Sequence, residues 1–128
     1  MIFASVRQAR DELQPAQVSY GAGISYINVN RDLLDPDTRL WREGGNYEGP
    51  SDHSVAVVNF ETPDGDPIAG YYNYSMHATV AGPFLSQLTA DVPGSTSRYI
   101  EDNFDDRIVA LWSTGACGDQ SPRYLRQT

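Results

Sequence analysis

Residues 54–75 read SVAVVNFETPDGDPIAGYYNYS, and this stretch decides the fold class. It contains two runs rich in β-branched and aromatic residues, 54–62 and 67–75, separated by Pro63-Asp-Gly-Asp66. Asp-Gly between two such runs is a strong signal for a β-hairpin. Apolar residues occupy both faces of the first run, which predicts a strand covered on both sides and therefore layered α/β packing.

The segments around the hairpin add two helices and a further strand. Apolar residues at helical spacing predict a helix over 5–13, and a second helix over 95–104 that follows Pro93-Gly94. Residues 107–112, RIVALW, predict a buried strand. The predicted fold class is α/β: a mixed β-sheet that contains the hairpin, over 54–62 and 67–76, and the buried strand, covered by helices.

The rest of the N-terminal half has weaker patterns. Residues 17–24 alternate and then reach Gly21 and Gly23, which predicts a short strand that breaks into a loop. Residues 28–52 contain Asp-Pro, Gly-Gly and Gly-Pro pairs and predict a long irregular stretch. Because loops of this length are uncommon inside a compact unit, such a stretch is usually functional or disordered.

Length and composition favour one globular unit. The 128 residues are 40% hydrophobic, which fits a single segment over 1–128. The single cysteine, Cys117, excludes a disulfide framework. The sequence contains no apolar run of about 18 residues, and its N-terminus lacks the basic and apolar regions of a signal peptide. We therefore expect a chain that neither spans a membrane nor directs its own export.

The charge balance disfavours nucleic acid as a partner. There are 17 Asp and Glu residues against 9 basic residues, all of them arginines scattered along the chain, for a formal net charge of −8. Phosphate contacts need concentrated positive charge, which this sequence does not provide. The acidic excess could favour a cation, but acidic surfaces are far more often simply solvated.

Two local features could carry chemistry. Gly115-Ala-Cys-Gly-Asp-Gln-Ser-Pro122 follows the predicted buried strand, where ligand sites of open α/β sheets gather, and its glycines would let backbone N–H groups approach an oxyanion. The same residues also suit an ordinary turn. His77 closes the hairpin and could be a zinc ligand or a core residue. Since zinc needs three or four protein ligands, His77, His53 and Cys117 cannot be declared a complete site.

Four motifs follow one another along the chain: Ile27-Asn-Val-Asn-Arg31, Met76-His77-Ala-Thr79, Leu88-Thr-Ala-Asp91-Val-Pro-Gly94, and Gly115-Ala-Cys-Gly-Asp-Gln-Ser-Pro122. In this order they resemble one family, the neutral ceramidases and their bacterial relatives, which are zinc-dependent amidohydrolases that cleave the N-acyl bond of ceramide. The resemblance runs through nearly the whole chain and implies that it corresponds to the central part of a larger, layered catalytic domain.

The resemblance implies roles for four residues of this sequence. It implies that His77 is a zinc ligand and that Arg31 lies near the substrate carbonyl. Ser121 matches a serine that acts either as the nucleophile or as a polar anchor beside the metal, and Asp91 matches an acidic position of supporting or structural role. We predict that His77, Arg31 and Ser121 come together at one sheet edge.

The resemblance also sets expectations for activity and partners. It implies part of a zinc-dependent amidohydrolase acting on ceramide or a related lipid amide, with the remaining zinc ligands outside this chain. We therefore expect the 128-residue chain alone to be inactive. The missing remainder of the enzyme or a second copy could be a partner, and association with a membrane surface stays open. The alternative is a non-catalytic interaction or assembly module that retains part of this fold.

The chain itself does not fix the localisation. Family members are secreted, periplasmic or on cell surfaces, and the resemblance carries that expectation to this protein. Asn73-Tyr74-Ser75 fits the glycosylation sequon, which matters only in a secretory setting. Because the triplet falls in a predicted buried strand and glycans occupy surface positions, an accidental match is favoured.

Overall fold

The computed structural model describes residues 2–82 and 85–123. Over these residues the chain forms two helices and seven strands. In chain order they are α1 Ile2–Asp11, β1 Gln17–Ile24, β2 Asn28–Leu34, β3 Trp41–Asn46, β4 Ser54–Glu61, β5 Pro67–Tyr74, α2 Asp91–Asn103, β6 Val109–Thr114 and β7 Gln120–Pro122.

The first sheet contains the predicted hairpin. Its strand order is β1-β4-β5-β6, with β4 and β5 antiparallel and β6 parallel to β5. A parallel pair needs a crossover connection, and α2 lies within it and packs against β6. The Glu101 carboxylate accepts a hydrogen bond from the Ala110 amide at 3.1 Å, which ties α2 to this strand. The predicted mixed α/β arrangement, with the hairpin beside the strand after the second helix, is confirmed.

Two of the three strands of the second sheet lie in the region predicted to be irregular. Strands β3, β2 and β7 form a three-stranded antiparallel sheet in that order, so the prediction for 28–52 is wrong. The hairpin between β2 and β3 turns at Asp35, whose side chain accepts hydrogen bonds from the amides of Asp37 and Thr38. The strands were missed because β2 begins with a buried asparagine and β3 contains a pair of glycines.

The predicted break in β1 is also wrong. The strand continues through both glycines to Ile24, with Gly21 opposite Val57 and Gly23 opposite Val55 in β4. The regular ladder to β4 holds these residues in extended conformation although glycine alone favours strands weakly. All eight residues of β1 are exposed.

The helices cover less of the sheet than predicted. Helix α1 contains no buried residue, so within the described chain it covers nothing. Helix α2 begins four residues before the predicted start, with Pro93 in its first turn, where proline is tolerated. The predicted burial of β4 and β6 holds only in part: residues 55–60 are half-buried, and Val109 and Leu111 are 55% and 49% exposed on either side of buried Ala110.

The structure also bears on the membrane-spanning and glycosylation expectations. Neither of the two described helices has the length and apolar character needed to cross a membrane. The sequon residue Asn73 lies inside β5, half-buried, and its side-chain amide donates a hydrogen bond to the Ser113 hydroxyl at 2.8 Å. The amide nitrogen that a glycan would need is therefore engaged between two strands.

Candidate functional site

The most buried part of the molecule is largely polar. It lies where β2, β7 and the end of β5 meet, and its apolar members there include Val29, Tyr74 and Met76. Burying polar side chains costs free energy unless they are hydrogen-bonded, so such a centre needs a specific network. The buried polar residues, each no more than 4% exposed, are Asn28, Asn30, Ser75, Gln120 and Ser121.

Asn28 is the hub of this centre. Its side-chain Nδ2 lies 2.7 Å from the carbonyl of Asp52 and 2.9 Å from the carbonyl of Ser75. The same nitrogen is 3.2 Å from the Gln120 side-chain oxygen. These contacts join the first residue of β2 to the chain before β4, to the residue after β5 and to β7.

The oxygen of the same amide has its own partners. Asn28 Oδ1 accepts from the Tyr74 hydroxyl at 2.7 Å and lies 2.7 Å from His53 Nδ1. Burial raises the pKa of Tyr74, so the hydroxyl stays protonated and remains a donor. The His53 ring also packs against Tyr26, with their centroids 4.7 Å apart. Both ends of the Asn28 amide are therefore used, which fixes its orientation.

Strand β7 brings the three predicted site residues into one neighbourhood. Ser121 is the middle residue of β7 and lies opposite Val29 in β2. The amide of His77 donates to the Gln120 carbonyl at 3.1 Å, and the amide of Arg31 donates to the Asp119 carbonyl at 2.8 Å. Consecutive carbonyls at the start of β7 therefore hold His77 and Arg31 beside Ser121.

Three side-chain atoms in this part of the described chain are buried without hydrogen-bond partners: His77 Nε2, Ser121 Oγ and, directly after β7, Arg123 Nε. His77 Nε2 and Ser121 Oγ have no hydrogen-bond partner among residues 2–82 and 85–123. Leaving such a group unpaired costs about 1–3 kcal/mol. The other ring nitrogen of His77, Nδ1, lies 3.6 Å from Cys117 Sγ. Unpaired buried polar atoms of this kind mark a place where a water, an ion or a substrate group would be stabilised.

Arg31 is held at the edge of a cavity. Its Nε donates to the Gly118 carbonyl at 3.0 Å, and its Nη1 lies 3.6 Å from the Glu43 carboxylate. The cavity has a volume of about 530 Å³ and is lined by Arg31 together with Thr79 and Asp91, two and fourteen residues beyond His77. The guanidinium is thus anchored to the turn before β7 and borders a space large enough for part of a ligand.

Asp91 ties the first turn of α2 to the loop before it. Its carboxylate accepts from the Ala81 amide at 2.8 Å and from the Val92 amide at 2.7 Å. Desolvation raises the pKa of Asp91, but hydrogen bonds from Ala81, Val92 and Val80 outweigh it, so the pKa lies below the ordinary value. Its contacts fit a supporting role at the rim of the cavity.

We expect Asp91→Asn to lower stability near neutral pH by up to about 1 kcal/mol. The folded-state pKa of Asp91 is depressed below 3.8, so its carboxylate stabilises the fold above that pH. This contribution is lost as the pH falls through the folded-state pKa. Urea unfolding at successive pH values should therefore show less acid sensitivity in the variant than in the wild type. Asp64→Asn, in the exposed turn between β4 and β5, is the matched control, and equal acid sensitivity in wild type and Asp91→Asn would contradict the prediction.

The donors present do not form a zinc site by themselves. Among residues 2–82 and 85–123, no group of three or more His, Cys, Asp or Glu side chains is arranged to hold a metal ion. His77 Nε2 has the burial and the lack of a partner that suit one ligand. A catalytic zinc ion needs three protein ligands, so the described residues fit only part of such a site.

Sequence reasoning missed the residues that hold this site together. Asn28, Tyr74 and Gln120 form the buried network, and Cys117 contacts His77. Asn28 and Gln120 fall inside quoted motifs, but polar residues in segments predicted to be loops gave no signal of burial. Tyr74 lies in a strand that was predicted, but its hydrogen-bonding role depends on a partner 46 residues away.

The arrangement is that of a mixed α/β fold in which two sheets meet at a buried polar joint beside a cavity. The structure is similar to part of the crystal structure of neutral ceramidase from Pseudomonas aeruginosa, with a TM-score of 0.76 and 25% sequence identity over 94% of this chain. A ceramidase complexed with C2 matches 91% of the chain with a TM-score of 0.73 and 24% identity.

These matches cover a small part of the larger proteins. The chain spans 19% of the length of the Pseudomonas aeruginosa structure and 18% of the other. No protein-family model matches the sequence, and neither does any curated protein. The structural match to part of neutral ceramidase nevertheless agrees with the family to which the four motifs point.

Proposed function

We propose that this chain forms part of a zinc-dependent amidohydrolase that hydrolyses the N-acyl amide bond of ceramide or a related lipid amide. One observation carries the proposal: His77 Nε2 and Ser121 Oγ are both buried without partners in the described chain, at the strand joint that also anchors Arg31. A nitrogen ligand and a hydroxyl at one strand joint, with a guanidinium that is bound to the same joint and lines the cavity, suit the cleavage of an amide. The structural likeness to part of a neutral ceramidase supports this class of reaction.

His77 would hold the zinc through Nε2, with the other ligands supplied from outside residues 1–128. When bound, zinc would supply Lewis-acid chemistry, lowering the pKa of a bound water and polarising the amide carbonyl. The residues of this chain would orient the reacting groups around it. The backbone bond from His77 to Gln120 fixes the start of the imidazole side chain against β7.

Arg31 would stabilise the negative charge that develops on the carbonyl oxygen. A guanidinium is always protonated and presents a rigid set of donors. Because Nε is bound to the Gly118 carbonyl, the plane of the guanidinium is constrained before substrate arrives. Such preorganised donors lower the barrier without reorganising during the reaction.

Ser121 has two possible roles under this proposal. It could attack the amide carbon directly, which would require a base to activate its hydroxyl. Alternatively, its hydroxyl could bind the substrate or a metal-bound group as a polar anchor. Its location in a paired strand, 1% exposed, holds the hydroxyl in one place, as either role requires.

The proposal extends to partners and location. The substrate would be a lipid amide such as ceramide, which can be reached at a membrane surface. The protein would work in a secreted, periplasmic or cell-surface setting, as the resemblance implies. The protein partner would be the part of the enzyme that carries the remaining zinc ligands, or a second copy of the chain.

A non-catalytic interaction or assembly module is the alternative. One observation favours it: exposed apolar side chains lie along α1 and β1, including Ile2, Phe3, Val18 and Tyr20, each at least 62% exposed. Exposed apolar side chains at this density suit contact with another chain or with further protein. An assembly role predicts binding without hydrolysis, so activity distinguishes the two functions.

We expect the 128-residue chain alone to bind zinc weakly and to hydrolyse no N-acyl amide, because one imidazole cannot hold zinc against water. A longer protein, which adds the sequence encoded on either side of residues 1–128, should retain zinc and release fatty acid from a short-chain N-acyl sphingosine. Zinc content and fatty-acid release are measured on both. If the 128-residue chain alone binds one equivalent of zinc and hydrolyses the substrate, then it contains further zinc ligands besides His77. If the longer protein folds but neither retains zinc nor releases fatty acid, the assembly role is favoured.

A further inference from the structure

The sulfur of Cys117 lies against the histidine proposed to bind zinc. Its Sγ is 3.6 Å from His77 Nδ1, a hydrogen-bonding distance for sulfur. The turn that carries it is fixed, because the Cys117 carbonyl accepts the Gln120 amide at 2.9 Å. Gln120 in turn accepts the His77 amide through its own carbonyl. The thiol and the imidazole are therefore held in register by the same short strand.

This contact permits two arrangements of the proton. A neutral imidazole has one N–H donor and one acceptor nitrogen, whereas a thiol can act as a weak donor or a weak acceptor. Either His77 Nδ1–H donates to the Cys117 sulfur, or the Cys117 S–H donates to Nδ1. The first arrangement leaves a lone pair on Nε2, and the second leaves a proton there.

The burial of Nε2 distinguishes the two arrangements. Nε2 of His77 is buried and has no partner in the described parts of the chain. A proton on Nε2 would therefore be a buried N–H without an acceptor, a group that is rarer in proteins than an under-satisfied acceptor. A lone pair on Nε2 is also the form that binds a metal, with the other ring N–H donated to a neighbour.

We propose that Cys117 is a positioning residue: its sulfur accepts a hydrogen bond from His77 Nδ1–H, so that Nε2 presents its lone pair toward a metal ion. The metal part of this inference rests on the proposed function. The tautomer itself is a property of the chain alone.

His53 provides an internal reference for the tautomer. Asn28 Nδ2 faces the carbonyls of Asp52 and Ser75, which fixes Oδ1 toward His53. Because an amide oxygen can only accept, the nitrogen of His53 at 2.7 Å must carry the proton. The only other histidine of the sequence is therefore held as the Nδ1–H form by a neighbour that contains no sulfur.

The test is long-range proton–nitrogen NMR of the 128-residue chain labelled with ¹⁵N at histidine, at a pH where both rings are neutral. We expect both rings to be Nδ1–H in the wild type. Cys117→Ala should exchange the two nitrogen shifts of His77 toward the Nε2–H form and leave those of His53 unchanged. Cys117→Ser, which keeps an acceptor, should retain at least part of the Nδ1–H form. Backbone amide spectra check that each variant is folded.

Several outcomes would overturn the proposal. His77 in the Nε2–H form in the wild type, or Nδ1–H retained in folded Cys117→Ala, would show that the sulfur does not set the tautomer. In the longer protein, which adds the sequence encoded on either side of residues 1–128, Cys117→Ala should weaken zinc binding by about 10–100-fold. Unchanged zinc affinity there would remove the positioning role. If the longer wild-type protein contains no zinc, the proposed function is contradicted. The tautomer measurement on the 128-residue chain would still decide whether the Cys117 sulfur sets the tautomer of His77.

Discussion

In the longer protein, which adds the sequence encoded on either side of residues 1–128, His77→Ala is expected to abolish zinc retention and amide hydrolysis. The variant removes the one imidazole whose buried Nε2 lacks a partner in the described chain. Ser121→Ala should instead keep the zinc and lower turnover by about 10²–10⁴-fold, because it removes a reacting or anchoring hydroxyl and no nitrogen ligand. Metal content and fatty-acid release are measured on the same preparations, so that loss of metal and loss of chemistry are separated.

The other histidine supplies the control for this experiment. His53→Ala removes an imidazole that is bound to Asn28 and packed on Tyr26. It should retain zinc, although the fold should be less stable. Zinc and activity that survive His77→Ala would show that this histidine was wrongly assigned. Ser121→Ala with unchanged turnover would remove Ser121 from the chemistry and leave it as a packing residue.

Asn28→Ala is expected to destabilise the isolated chain by about 3 kcal/mol. Asn28 is completely buried, and its side-chain amide donates to the carbonyl groups of Asp52 and Ser75. The substitution would leave both carbonyls without this donor. The Tyr74 hydroxyl would also lose one of its two acceptors. The free energy of unfolding is measured by urea titration, monitored by circular dichroism.

Asn103→Ala is the matched control for this substitution. The Asn103 side chain is exposed, and its hydrogen bond within the described residues is to the Tyr99 carbonyl of its own helix, so its loss should cost less than about 0.5 kcal/mol. If Asn28→Ala does not fold, the smaller change Tyr74→Phe tests the same network by removing one hydroxyl. Equal stabilities for Asn28→Ala and Asn103→Ala would show that the buried amide is not the hub inferred from its contacts.

The first sheet could be predicted from the sequence because its strands carry the pattern that burial imposes. β4 and β6 are apolar runs of strand length, and an Asp-Gly turn joins β4 to β5. The second sheet could not be predicted. Its strand β2 is buried through Asn28 and Asn30, residues whose chemistry normally indicates loops. Their burial becomes favourable through partners distant in the sequence, such as Asp119 for Asn30.

The candidate site follows the same division. Only the order of the four motifs connects His77, Arg31 and Ser121, because no spacing rule on the residues alone groups them. Their meeting depends on β7, a strand of three residues that is too short to produce a periodic signal. Cys117 is the single cysteine of the sequence, and its contact with an imidazole 40 residues away has no local signature.

The shortness of β7 has a consequence for how the joint opens. Its residues 120–122 pair with β2 on one side, while the Gln120 carbonyl holds the His77 amide next to β5. When this strand detaches together with Asp119, the residue before it, the amides of Arg31 and His77 lose their acceptors in the same event. Native-state hydrogen exchange should therefore give these two amides, one in β2 and one in the segment after β5, the same opening free energy, unlike the amides of the ladder between β4 and β5. Detachment of the four residues 119–122 would separate His77, Arg31 and Ser121 at once, and any molecule that bridges the joint would slow the exchange of both amides together.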